Sequence, residues 1–313
     1  MGTPEFAVAS LDFLRRSGFA IAAVITAPDK PAGRGRKMHM SAVKEYALEH
    51  KLPVLQPESL KDTSFLEELK HLNADLHVVV AFRMLPKVVW NMPPKGTINL
   101  HASLLPDYRG AAPLNWVLIN GETETGLTTF FLNENIDTGD IIMTEKVSIG
   151  KEETLGELHD RMKALGAQLL VKTVEAIRDG KAKGLSQEQF VSDKPRLMPA
   201  PKIHKEDCRI NWDKNADEIF NLIRGLSPVP GAYTLLDDNT GHTIQMKIFK
   251  AGLFMESHVK KPGSIETDGK THFRIFAKRG WIEPSEIQLE GKRHMTTAEW
   301  LRGTTISDPM KAI

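Results

Sequence analysis

The first two-thirds of the chain alternate between short apolar runs and longer stretches with apolar residues at helical spacing. Phe19–Thr26 (FAIAAVIT) is an apolar run bounded by Gly18 and Pro28, and Asp75–Phe82 (DLHVVVAF) has the same character, so both predict buried strands. Thr97–His101 (TINLH) and Gly126–Leu132 (GLTTFFL) predict two more. Helices are expected between them. Pro4–Arg16 has Thr3 as its expected N-cap and Pro4 at the first helical position. Ser41 is placed to cap Ser41–His50, and Ser64–Leu72 carries Phe65, Leu66 and Leu69 on one face. Thr154–Arg178 repeats Leu155, Leu158, Met162, Leu165, Leu169 and Val174 near the helical period, with Gly180 as its stop. Strands alternating with helices predict an α/β layer around a mostly parallel, Rossmann-like sheet. A Gly-Thr-Pro turn into a helix ordinarily follows a strand, yet only Met1 precedes Gly2. Either the first strand of the sheet is missing or the sheet is closed differently.

Near Gly180 the texture changes. Residues 181–204 hold Pro195, Pro199 and Pro201 among polar residues and read as a connector. One helical stretch follows, Ala216–Arg224, and then short β-like pieces at 232–236, 243–254, 263–267, 273–277 and 280–289, with hairpin-type turns at 237–241 and 268–269. This predicts a small β-barrel of the oligonucleotide-binding (OB) kind. The expected organisation is a catalytic domain over 1–180, a linker over 181–204 and an OB-like domain over 205–313.

Composition narrows the classes. Lys and Arg number 41 against 40 Asp and Glu, a net charge of +1, so nucleic-acid binding has to come from a local patch. Apolar residues make up 41% and charged residues 26%, as in an ordinary globular chain. The single cysteine, Cys208, excludes an intrachain disulfide framework and cysteine-cluster metal sites. The longest apolar run, near Val78–Phe82, is far short of a membrane span, and the first residues lack the basic and apolar regions of a signal peptide. A cytoplasmic location and no membrane partner are expected.

The chemistry concentrates in Asn99-Leu100-His101-Ala102-Ser103-Leu104-Leu105-Pro106-Asp107-Tyr108-Arg109-Gly110-Ala111-Ala112-Pro113. Asn99 and His101 are two apart at the end of a predicted strand, so they share a face. That end of an α/β strand is where such sheets place ligands. A second turn-rich segment, Asn135–Asp140, supplies Asp137. An amide can donate to an oxyanion, an imidazole can donate or shuttle a proton near neutrality, and a carboxylate can orient the ring. The trio needs no Ser or Cys nucleophile when the attacking group is an external amine. Each residue also has a plain reading: a satisfied polar side chain at a strand end, or a turn carboxylate.

These segments resemble the signature of the folate-dependent formyltransferases. Gly2–Ala7, Pro28–Gly35 and Leu85-Pro86-Lys87 are similar to the branch that acts on methionyl-tRNA, and Ile210-Asn211-Trp212 extends the likeness into the C-terminal third. The chain departs at Ala81–Pro86, which is one residue short and carries Arg83. The resemblance implies a formyltransferase domain followed by the OB-like domain. It implies transfer of the formyl group of 10-formyltetrahydrofolate to the amino group of methionine on initiator tRNA, by a monomer with no metal. By motif, Asn99, His101 and Asp137 would be catalytic, with Asn99 and His101 holding the oxyanion. Ser103, Leu104, Leu105 and Pro106 would line the folate site.

Two basic regions could face the tRNA. Lys30–Lys44 holds Lys30, Arg34, Arg36, Lys37, His39 and Lys44 with no acidic residue, and the resemblance assigns Arg34, Arg36 and Lys37 to the acceptor stem. The second, from Gly241 to Gly280, has eight basic and three acidic residues. No phosphate-binding or dinucleotide Gly motif and no His-Glu-x-x-His helix is present. Cys208 lies far in sequence from the loops and reads as incidental. The competing expectations are a formyltransferase for a UDP-4-amino-sugar or glycinamide ribonucleotide, hydrolysis of formyl-folate, and a catalytically silent RNA binder.

Overall fold

The structure, a computed structural model, describes residues 1–32, 37–191, 197–238, 243–303 and 310–313. The chain forms two compact units. The first holds Met1–Ala111, Glu124–Ser148 and His159–Pro199; the second holds Ala112–Thr123, Ile149–Leu158 and Ala200–Ile313. Arg34 and Arg36 fall outside the described residues; Lys37 opens the strand Lys37–His39, which pairs antiparallel with Lys30–Ala32.

In the first unit, His77–Val80 pairs in parallel with Thr97–His101. Glu124–Phe131 then adds antiparallel to Thr97–His101, and Ile141–Ser148 adds antiparallel to Glu124–Phe131. The last strand opens on a short apolar piece, Ile141-Ile142-Met143, and then turns polar. It is an edge strand, and Thr144, Lys146 and Ser148 are its exposed residues. Helix Leu155–Arg178 covers one sheet face, where Thr173 and Thr129 hydroxyls meet at 2.8 Å among buried neighbours.

Two local expectations shift. Helix Glu5–Arg16 is capped by Pro4 in extended backbone, with no side-chain bond from Thr3. Of Phe19–Thr26, only Val24–Ile25 is strand, parallel to Val54–Leu55. Residues 19–23 have no ladder partner among the described residues, so the apolar run alone did not make them a strand. By contrast, Ser41 caps Ala42–Glu49 as expected, accepting from Lys44 N at 3.1 Å.

The second unit is a nearly closed antiparallel barrel. Its strand order runs Ile265–Thr267, Phe273–Phe276, Trp281–Leu289, Thr243–Phe254, Ala232–Asp237, Lys311–Ala312. The two ends meet where Ala312 N donates to Gly263 O at 2.8 Å. Gly263 has φ +80°, and a Cβ there would lie 2.2 Å from Ala312 O, so glycine permits the closure. Helix Ala216–Leu226 buries Ile219, Ile223 and Leu226 in a core with Met246, Ile248 and Ile287. The buried Trp212 indole N–H donates to Thr234 Oγ1 at 2.9 Å, so its polar edge is satisfied.

Candidate active site

Thr97–His101 is an interior strand, and its alternation sets the site. Ile98 and Leu100 are buried on one face, while Asn99 and His101 share the other. Asn99 is half-buried, and among the described residues its amide has no hydrogen-bond partner. The chain leaves the strand at His101 and folds into a tight turn. Ser103 Oγ donates to Asp107 O at 2.7 Å, and Tyr108 adopts φ +60°. That turn brings Tyr108 O back to His101 Nε2 at 2.8 Å. A carbonyl can only accept, so Nε2 carries the hydrogen and Nδ1 is left for other chemistry.

Nδ1 faces Asp137 Oδ2 at 3.8 Å, with both side chains largely buried. The carboxylate is a close neighbour of the ring but not its hydrogen-bond partner. Asp137 Oδ2 accepts instead from Gly110 N at 2.9 Å. Gly110 has φ +126°, a region L side chains avoid, so glycine lets this backbone N–H face the carboxylate. Asp137 itself lies at φ +54°, which Asp tolerates better than most residues. The loop is held from behind by Gln187, which is 4% exposed. Its Nε2 donates to Asp137 O at 2.9 Å and to Gly139 O at 2.8 Å, while its Oε1 accepts from Arg109 Nε at 3.1 Å. Burial lowers the Arg109 pKa from its ordinary value, and the Asp137 charge opposes that shift.

Three consecutive residues therefore organise the site: Tyr108 fixes the His101 tautomer, Arg109 meets Gln187, and Gly110 ties this segment to Asp137. Sequence reasoning did not assign them these roles. Two act through backbone atoms, which leave no side-chain signature, and Gln187 lies in the stretch expected to be a connector.

The turn after His101 is mostly interior. Ser103, Leu105 and Pro106 are buried, and Leu104 is half-buried. Ser103 O accepts from Thr128 Oγ1 at 2.7 Å, and Leu105 packs with Phe130 and Ile141. Arg83 folds away over residues 57–58: its guanidinium donates to Glu58 O at 2.7 Å and to Pro57 O.

Several cations in the basic regions are already engaged. Lys44 Nζ pairs with Asp29 Oδ2 at 2.5 Å, and Gln56 Nε2 donates to Asp29 Oδ1 at 2.8 Å. In the barrel, Arg274 Nε meets Glu283 at 2.6 Å and Lys260 meets Glu266 at 3.4 Å. Cys208 is buried, donates Sγ to His204 O at 3.3 Å, and has its thiol pKa raised by burial. Among the described residues no group of three His, Cys, Asp or Glu is placed to hold a metal ion, and no helix is long and apolar enough to cross a membrane.

An open amide and a tautomer-fixed imidazole on one strand face, next to a carboxylate from a second segment, suit acyl transfer to an amine. Residues 1–174 match the formyl transferase family model, and residues 202–305 match that of the formyl transferase C-terminal domain. The chain belongs to the formyl transferase family, in its methionyl-tRNA formyltransferase group. It is 51% identical over 311 residues to the methionyl-tRNA formyltransferase of Flavobacterium johnsoniae, covering 99% of this chain and 97% of that one. It is 49% identical over 311 residues to that of Bacteroides fragilis, covering 99% and 96%. Among solved structures, the Helicobacter canadensis N-formyltransferase complexed with folinic acid and dTDP-3-aminofucose shares the fold. It has a TM-score of 0.62 at 22% identity, over 90% of this chain and 96% of that one.

Proposed function

We propose that this protein transfers the formyl group of 10-formyltetrahydrofolate to the α-amino group of methionine on initiator tRNA. The observation that carries the reading is the convergence of His101 Nδ1 and the Asp137 carboxylate, 3.8 Å apart, on the strand face that also bears the open Asn99 amide. The methionyl-tRNA formyltransferases that are about half identical over nearly the whole chain support the choice of acceptor.

In this reading the methionyl amine attacks the formyl carbon. The carbonyl π pair moves onto oxygen, and the Asn99 amide donates to that oxyanion together with His101, whose Nδ1 carries a hydrogen only in the imidazolium form because Nε2–H is held by Tyr108 O. The attacking nitrogen carries a surplus proton, which Asp137 accepts. The oxyanion then re-forms its carbonyl, the bond from the formyl carbon to folate N10 breaks, and the proton is returned to N10. The products are N-formylmethionyl-tRNA and tetrahydrofolate, with no net change in protons. Because Nε2 is committed to Tyr108 O, Nδ1 is the ring atom that can take part. The folate site is formed by the 103–106 turn, with Leu104 as its less buried side chain and backbone groups meeting the polar edge of the pteridine. Arg34, Arg36 and Lys37 contact the tRNA backbone.

The test is a transfer assay with purified protein and 10-formyltetrahydrofolate, offering Met-tRNA, UDP-4-amino-arabinose or glycinamide ribonucleotide. Only Met-tRNA is expected to be formylated. His101→Ala is expected to lose turnover and keep tRNA affinity. Charge reversal at Arg34 and Arg36 is expected to raise KM for tRNA and spare folate binding. Formylation of the amino-sugar in preference to Met-tRNA would move this chain to the sugar-modifying class represented among its structural neighbours.

A further inference from the structure

The strand Val24–Ile25 runs parallel to Val54–Leu55, with Val24 opposite Val54 and Ile25 opposite Leu55. Thr26 N donates to Leu55 O at 3.1 Å, so Thr26 and Gln56 leave the pair side by side. Thr26 leads to Asp29 and then to the hairpin formed by Lys30–Ala32 and Lys37–His39. Those two strands pair with each other and, among the described residues, with no other strand. No sheet ladder therefore fixes where the hairpin points. Its direction is left to its two ends.

Side chains tie both ends down. At the entry, Gln56 Nε2 donates to Ala27 O and to Asp29 Oδ1, each at 2.8 Å. At the exit, the Ser41 hydroxyl meets that of the buried Thr26 at 2.8 Å, and Lys44 Nζ donates to Asp29 Oδ2 at 2.5 Å. The Asp29 carboxylate thus joins entry to exit, one oxygen to each neighbour. The pair is mostly shielded, with Lys44 17% and Asp29 23% exposed. The Lys44 bond, and next the Gln56 bond, hold the Asp29 carboxyl below its ordinary range. Lys44 stands in the first turn of helix Ala42–Glu49, where the helix dipole disfavours a cation. Asp29 accounts for it there, because a carboxylate at that place offsets both the ammonium and the dipole. The Gln56 side is held in turn by Arg83, whose guanidinium donates to Glu58 O at 2.7 Å and to Pro57 O.

We propose that Asp29, Lys44 and Gln56 are positioning residues for the acceptor substrate. Their cluster sets the direction in which the hairpin leaves the strand ends, and Lys44 directs its charge to Asp29 rather than to a phosphate. This role rests on the reading above, in which residues of the hairpin contact the tRNA, and adds what holds them in place. An unanchored basic arm would lose conformational freedom each time it met RNA. An arm fixed at both ends meets the RNA with that ordering already done. Lys44 then contributes alignment, while counterion release comes from the cations of the hairpin itself.

The experiment measures the affinity of the full chain for Met-tRNA by filter binding over a range of salt, beside KM and kcat for formylation and Tm. Asp29→Asn and Lys44→Gln are each expected to weaken tRNA binding about tenfold, by misaligning the hairpin. At saturating tRNA, kcat is expected to stay within about twofold of the parent, as is KM for 10-formyltetrahydrofolate. Lys44→Gln should leave the slope of log Kd against log salt unchanged, whereas loss of a phosphate contact would lower it by roughly 0.7 to 0.9. Lys44→Arg should restore most of the affinity, and the double variant should bind no worse than either single one. Gln56→Ala keeps the ion pair; it should weaken binding about threefold and carries the test where a charge variant fails to fold. Tighter binding by Asp29→Asn, or a reduced salt slope in Lys44→Gln, would overturn the proposal, because Lys44 would then be a phosphate contact. Unchanged affinity in all three single variants would overturn it as well. Charge reversal at Arg34 and Arg36 separates the two readings. If it leaves tRNA binding unchanged, the hairpin is not the tRNA contact and the positioning role falls with it. If it weakens binding while Asp29→Asn does not, the positioning role alone falls.

Discussion

The Asp137 carboxylate offers the sharpest quantitative test of the site. Asp137→Asn removes its charge but keeps an oxygen able to accept from Gly110 N, so the loop should retain its geometry. What is lost is the attraction between a carboxylate and the positive charge carried by the imidazole or the attacking amine during transfer. At the observed 3.8 Å, Coulomb's law gives about 1 kcal/mol in water and about 4 kcal/mol at an effective dielectric of ~20. With tenfold in rate for each 1.36 kcal/mol or so, these bounds translate to losses of roughly 6-fold and roughly 1,000-fold in kcat. Both side chains are largely buried, which favours the upper part of that range. The assay is single-turnover formylation of Met-tRNA at saturating folate, with tRNA affinity measured separately. Turnover of the Asn variant within about threefold of the parent, with Tm unchanged, would refute an electrostatic role for this carboxylate.

Two other outcomes are expected. Gln187→Ala removes both donors that hold the Asp137 loop and leaves Arg109 without its acceptor, so kcat should fall about tenfold with KM for tRNA unchanged. Gln187→Glu, which keeps the acceptor but loses the donors, should not restore it; recovery by Glu would mean that Arg109, not the loop, is what Gln187 serves. The third concerns pH. Burial, and next the nearby Met1 ammonium, lower the His77 pKa from 6.5 to about 4. The unfolded chain therefore binds this proton at a higher pH than the native one. The stabilising contribution is complete above about pH 6.5 and is lost as pH falls toward 4, by about 3 kcal/mol in all. His77→Gln should flatten the dependence of Tm on pH across that window, and an unchanged slope would contradict the burial of a neutral imidazole.

Much of the first unit could be read from the chain because its elements are locally encoded. Thr97–His101 has a strand pattern complete in itself, and its period of two placed Asn99 and His101 on one face before any tertiary contact was known. Ser41 capped its helix for reasons contained in four residues. Ile141–Ser148 was not legible, because its apolar start, Ile141-Ile142-Met143, gives way to Thr144-Glu145-Lys146, as an edge strand that meets solvent permits. Phe19–Ala23 failed in the opposite sense. Its apolar character was real, but a strand needs a neighbour to bond with.

The sequence by itself determined the residue types of the candidate site, the shared face of Asn99 and His101, and membership in a family of formyl-transferring enzymes. Those properties depend on composition and short-range periodicity. Tertiary structure decided which ring nitrogen of His101 is free, because the partner of Nε2 is a carbonyl seven residues away. It decided how Asp137 is held, because Gly110 lies 27 positions from it and Gln187 lies 50. Side-chain chemistry is carried by single residues, whereas the direction of a lone pair or a backbone N–H is set only when distant segments pack together.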